Sequence, residues 1–158
     1  MSENPPDDVT DTDVCPKAQA SVPMIDVSKA LDLLAAVVRN QGEDFVYRPV
    51  SVAKFPSCRY ARGGAPECLI GRALALAEVG VHDLEAMGED DLRELYFRDK
   101  LPVNLTLGGL AVLHAAQRTQ DRGGRWGDAL IDAGNAAIQL LDLVPDSVLY
   151  RLRQQEYQ

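Results

Sequence analysis

Cys68 is the first residue in the chain whose surroundings suggest chemistry. It follows Gly63-x-x-Pro66, and if Pro66 opens a helix, Cys68 falls in the first turn. There the backbone N–H groups and the helix dipole lower a thiol pKa and favour the nucleophilic thiolate. A cysteine nucleophile also needs a base. The two histidines, His82 and His114, have no local motif tying them to it. The plainer reading is a small packed residue between Ala65 and Leu69, since free cysteine is among the most often buried types. Cys58 lies ten positions earlier. The pair could form a disulfide, which only geometry decides. A zinc site would also have to draw on Cys15, His82 or His114, without the C-x2-C or H-x3-H spacing that zinc ligands show. No metal and no cofactor is expected.

Other segments offer less. Arg62-Gly63-Gly64-Ala65-Pro66 before a helix resembles a backbone anion cradle. It lacks the ending of a P-loop and the full dinucleotide fingerprint, Pro66 removes a donor, and a glycine-requiring turn explains it more simply. Trp126, the one tryptophan, follows Arg125 and is either an interface anchor or a core residue. Its spacing to Leu130 and Ala133 favours the core. His114 sits on an apolar helix stripe, where a satisfied side chain is the simpler reading. The acids Glu89-Asp90-Asp91 read as solvated surface, without the spacing of a calcium loop.

The elements that must position these residues read as a mainly α fold with a small antiparallel β-hairpin, in a single compact helical domain. Asp26 caps a helix over 27–41 with Val27, Ala30, Leu31, Leu34 and Val38 on one face, stopped by Gly42. Asp44-Phe45-Val46-Tyr47-Arg48 and Ser57-Cys58-Arg59-Tyr60-Ala61 read as the two strands of a hairpin at about 44–61. A second helix is expected over 66–79, with short turns over 81–88 and 90–97. Thr106 caps a longer helix through Leu110, Leu113, His114 and Gln117 to about Asp121. Gly123-Gly124 breaks it, and Trp126, Leu130, Ala133, Ala137 and Leu141 mark the next. Residues 26–143 thus form the domain. Residues 1–25 form a disordered acidic tail, and 144–158 a C-terminal helix opened by Pro145.

Cys68-Leu69-Ile70-Gly71, preceded by Gly63-x-x-Pro66, and Gln120-Asp121 ahead of Trp126-Gly127-Asp128 resemble the motifs of uncharacterised small helical domains of actinobacteria and their phages. The resemblance spans about residues 27–141, with Gln120 where Asn is more usual. It implies a fold and a set of motif positions, Gly63, Pro66, Cys68, Gly71, Gln120, Asp121 and Trp126, but no mechanism. Gly71 within a helix costs ~1 kcal/mol against Ala, which points to a second backbone packed closely there. Asp121 is expected to accept hydrogen bonds from the start of the Trp126 helix. Cys68, Gly71, Asp121 and Trp126 would then join helix two to the last helix pair.

The composition narrows the function classes. The 158 residues are 46% apolar and carry a net charge of −8. A domain of this size removes roughly 70% of its unfolded surface from water and needs no metal or disulfide to fold. Residues 1–26 hold six acids and one base, leaving 27–158 at only −3. Scattered arginines (Arg59, Arg62, Arg72; Arg118, Arg122, Arg125) do not form the basic face that nucleic acid requires. No apolar run approaches the ~20 residues of a membrane span. The opening Met1-Ser2-Glu3-Asn4-Pro5-Pro6 has neither a basic nor an apolar signal region, so the cytoplasm is the expected compartment. The preferred function is a non-enzymatic protein-binding or regulatory domain, its partner another protein or a second copy. Val148, Leu149 and Leu152 of the terminal helix are the expected contact residues. The alternatives are a cysteine-dependent enzyme or redox switch centred on Cys68, and a nucleic-acid-associated regulator.

Overall fold

A computed structural model describes residues 24–48 and 58–142. Asp26 caps α1 (Val27–Gln41), its carboxylate accepting the Lys29 N–H, and Gly42 ends the helix at a positive φ of 108°. The apolar face buries Ala30, Leu33, Leu34, Val37 and Val38. That is the stripe expected of a helix laid on a core. Immediately before it, β1 (Met24–Ile25) pairs in parallel with β4 (Asn104–Leu105), in the register Ile25 to Leu105. Ile25 is buried. Met24 and Ile25, the last two residues of the expected tail, thus lie in a strand. The rest of that tail, residues 1–23, lies outside the described residues.

The hairpin differs from the expected one. Its strands are β2 (Ala61–Arg62) and β3 (Ala65–Pro66), joined through Gly63 and Gly64 at φ of 61° and 81°. Two successive residues at positive φ form the tight turn that matches strand twist, and glycine adopts it without strain. Pairing continues past the strands through Glu67 N–H to the Tyr60 carbonyl (3.0 Å) and Cys68 N–H to the Arg59 carbonyl (3.2 Å). The described part of that segment, 58–61, thus finds its partner just downstream. Residues 44–48 pair elsewhere, Val46 bridging to Arg125. Because Pro66 belongs to β3, the second helix starts later than position 66: α2 is Leu69–Leu76, with Cys68 as its cap.

Two short helices follow, α3 (Val81–Met87) and α4 (Leu92–Phe97). After β4, Thr106 caps α5 (Leu107–Asp121), which folds back into α6 (Trp126–Asp142). The expected terminal helix, with Val148, Leu149 and Leu152, lies outside the described residues. The six helices of the described residues enclose one continuous core, in which Leu34, Leu69, Ile70, Leu74, Leu84, Leu92, Leu113 and Trp126 are fully buried. The fold is mainly helical with a small antiparallel hairpin, a single compact domain. No described helix is long and apolar enough to cross a membrane.

Candidate functional site

The buried polar groups of this core gather on one stripe of α5. Helical spacing brings His114, Gln117, Gln120 and Asp121 onto one face, and they reach the start of α4, the start of α2 and the hairpin. His114 Nε2 lies 3.0 Å from Asp91 Oδ2, while Asp91 Oδ1 accepts the Arg93 N–H that opens α4. Gln117, 1% exposed, accepts the Leu92 N–H at 3.0 Å and donates to the Tyr60 hydroxyl at 2.8 Å. The hydroxyl in turn donates to the Asp90 carbonyl at 2.7 Å. Burial drives the Tyr60 phenol well above its ordinary range. Gln120, equally buried, accepts the Leu69 N–H at 2.7 Å. One helix therefore supplies side-chain caps to the first turns of two others, α2 and α4, meeting donors that helix starts leave unpaired.

Asp121 ends the stripe. It is not directed at the Trp126 helix: its carboxylate accepts the backbone N–H of Cys58 and a long bond from Gln120 Nε2 (3.4 Å). Burial pushes its pKa up to about 6, with the nearby Asp91 charge adding to the rise and the two hydrogen bonds opposing it. The first N–H groups of α6 are met by backbone instead, Trp126 N–H by the Phe45 carbonyl and Gly127 N–H by the Glu43 carbonyl, each at 2.8 Å. The expected strand at 44–48 thus serves as a cap for α6. A backbone segment does here what the sequence suggested a carboxylate would do.

Cys58 and Cys68 are joined in a disulfide, with Cα atoms 5.8 Å apart. Both are buried, at 1% and 0% exposure. The bond removes the free thiolate that a Cys68 nucleophile requires, and neither histidine is bonded to it: His114 is engaged with Asp91, and His82 is exposed on α3. Cys68 Sγ accepts the Gly71 N–H at 3.4 Å. Gly71 faces the Tyr60 backbone so closely that an added Cβ would overlap its carbonyl oxygen and lie 2.7 Å from its carbonyl carbon. Cys68, Gly71, Gln120 and Asp121 thus converge where the hairpin, α2 and α5 meet, while Gly63 turns the exposed tip of the hairpin and Pro66 lines the cleft between α1 and α2.

Trp126 belongs to another cluster. Fully buried, it packs edge-on against Phe45 at 4.5 Å, with the Arg72 guanidinium 5.2 Å from its ring. Arg72 is held by Gln41 and the Glu67 carbonyl, so α2 meets the start of α6 through a cation on an aromatic face. Tyr60, Gln117, Phe45 and Arg72 were not singled out from the sequence as site residues. The only signal for Gln117 is an amide three positions before another on an otherwise apolar stripe.

The outer surface carries several open clefts, two of them of nearly equal size. One, about 400 Å³ between α1 and α2, is largely apolar, and its one cation is the committed Arg72. The other, about 390 Å³, runs between α4, α5 and α6, where Phe97 and Leu107 are 68% and 65% exposed beside Arg93 and Arg118. No carboxylate lines it. Among the described residues no group of three or more His, Cys, Asp or Glu is placed to hold a metal ion. No protein-family model, curated protein or solved structure matches the chain.

Proposed function

We propose that this chain is a protein-binding domain whose contact face is the groove between α4, α5 and α6, and that it takes an acidic segment bearing apolar side chains. The observation that carries this reading is the pairing of Phe97 and Leu107, two of the most exposed large apolar side chains, with two guanidiniums and no lining carboxylate. Aromatic and arginine side chains are the usual anchors of protein interfaces. The guanidiniums of Arg93 and Arg118 favour partners of negative charge, while Asp91 and Glu94 line the adjoining cleft that shares Arg93 and Phe97. A thiol enzyme is less well supported, because Cys68 is engaged in a disulfide.

Selection from a random peptide display library tests it. Peptides alternating Asp or Glu with apolar residues are expected to enrich on the full chain and not on its Phe97→Asp/Arg118→Glu variant. Amide shifts on adding a selected peptide are expected to cluster at Phe97, Leu107, Ala111 and Arg118. Equal enrichment on both proteins, shifts elsewhere, or a dimer in sedimentation that the double variant abolishes would overturn the reading, the last by making a second copy the occupant.

A further inference from the structure

We propose that Cys58 and Cys68 form a reversible two-electron thiol–disulfide couple, in which Cys68 is the attacking sulfur and Cys58 the resolving one. The inference is independent of the groove. It rests on the different surroundings of two bonded sulfurs. Cys68 occupies the cap of α2, and the Gly71 N–H already points at its Sγ. On reduction those groups remain to stabilise a thiolate there. Cys58 meets the opposite condition, since the carboxylate of Asp121 accepts its backbone N–H. A negative charge beside a thiol disfavours its ionisation.

The charged side chains adjacent to the two cysteines are each paired with a partner of opposite sign. Arg59 lies 3.7 Å from Glu89, and Glu67 is paired with Arg62 at 2.8 Å. Asp91, at the start of α4, adds negative charge on the Asp121 side. Among the described residues no Lys or Arg forms an ion pair with Asp121. The sequence of bonds follows. In the reduced protein the Cys68 thiolate attacks one sulfur of a low-molecular-weight disulfide, forming a mixed disulfide and expelling one thiolate. The Cys58 thiolate then attacks the Cys68 sulfur, closing the Cys58–Cys68 bond and expelling the second. Each expelled thiolate takes up one of the two protons that the cysteines release. The protein loses two electrons and two protons, and the small disulfide becomes two thiols. Because both sulfurs are buried, exchange passes through local opening of the hairpin and is slow compared with that of a surface thiol.

The test uses the full chain with Cys15→Ser, which leaves only the two thiols of interest. In the reduced protein, iodoacetamide rates at each cysteine are read by peptide mass mapping as a function of pH. Cys68 is expected to titrate at least one pH unit below Cys58. Adding Asp121→Asn is expected to lower the Cys58 midpoint and leave that of Cys68 in place. In urea the two midpoints are expected to converge near the ordinary thiol value of about 8.5. In a glutathione redox buffer the folded protein is expected to interconvert fully between dithiol and disulfide, with its far-ultraviolet circular dichroism retained. Equal or reversed midpoints in the folded protein, an Asp121→Asn effect on Cys68 rather than Cys58, or a dithiol form that unfolds or fails to re-oxidise would overturn the proposal.

Discussion

Replacing Gly71 by alanine tests the packing of α2 on the hairpin with a single methyl group. The added Cβ would lie 2.7 Å from the Tyr60 carbonyl carbon and 2.9 Å from its Cα. Unstrained carbon contacts sit at about 3.5–4.0 Å, so the two backbones must separate by roughly an ångström. Neither is free to do so. Tyr60 is held through its carbonyl to Glu67 and its hydroxyl to Asp90 and Gln117, while the disulfide and the Cys68–Arg59 bond close the hairpin on either side. Overpacking of this kind costs about 1–3 kcal/mol, and losing the Glu67–Tyr60 bond adds about 1 kcal/mol. The better helix propensity of alanine returns about 1 kcal/mol. The net loss is about 1–3 kcal/mol, a fall of roughly 4–12 °C in Tm for a domain of this size. Gly134→Ala, on α6 with nothing near its added Cβ, is the internal control and gains up to about 1 kcal/mol. Thermal melts followed at 222 nm and urea titrations read both variants. If Gly71→Ala melted at or above the parent temperature, or if both alanines shifted stability in the same direction, the close approach of Tyr60 would be refuted.

The capping stripe of α5 gives two more expectations. Gln120→Leu preserves volume but leaves the Leu69 N–H buried without its acceptor, a loss of about 1–3 kcal/mol. Gln139→Leu, at an exposed position on α6, is expected to be neutral. Urea midpoints compare them, and an unchanged midpoint for Gln120→Leu would remove the capping role. Asp121 has a folded pKa of about 6, raised from 3.8, so the folded state holds its proton more tightly than the unfolded state. Its contribution to stability is therefore complete below pH 4 and is lost as pH rises through 6. Asp121→Asn is expected to be close to parent stability at pH 4 and more stable at pH 8 by roughly 1 kcal/mol, allowing for solvent screening. A stability difference between the two proteins that does not change from pH 4 to pH 8 would contradict the raised pKa.

Local signals were readable wherever an element carries its own start, stripe and stop. Asp26, the apolar face and Gly42 delimit α1 without reference to the rest of the chain, and Thr106 does the same for the start of α5. The presence of a glycine inside α2 already indicated a close backbone, though not that the backbone belongs to Tyr60. What stayed hidden depends on distant partners. Residues 44–48 have strand composition, but they make only a single bridge to Arg125, and the Phe45 carbonyl, with that of the preceding Glu43, caps α6. The parallel pair of β1 and β4 is two residues long on each side, too short for alternation to show. Pro66 fits the first turn of a helix as well as it fits a strand end, and only the pairing of Glu67 and Cys68 across the hairpin decides between them. Phe97 and Leu107 are apolar residues like those of the core, so their exposure is a property of the fold and not of their type.

The arrangement of bonds at the start of α2 also bears on how the two cysteines can change state without loss of the fold. Leu69 N–H, the first orphan donor of the helix, is held by Gln120 and not by sulfur. Gly71 N–H is held by Cys68 Sγ, which accepts a hydrogen bond either as a disulfide sulfur or as a thiolate. Gln117 secures α4 and Tyr60 by bonds that involve neither cysteine. Breaking the Cys58–Cys68 bond therefore leaves every cap along the α5 stripe with its partner. What it removes is the covalent closure of the 58–68 hairpin, a loop whose constraint is worth about 2–3 kcal/mol. That is a substantial share of, but less than, the 5–15 kcal/mol typical of a domain. Reduction should then lower stability and loosen the hairpin while the helices keep their places, and the neutral glutamine amides of α5 are the reason the two effects separate.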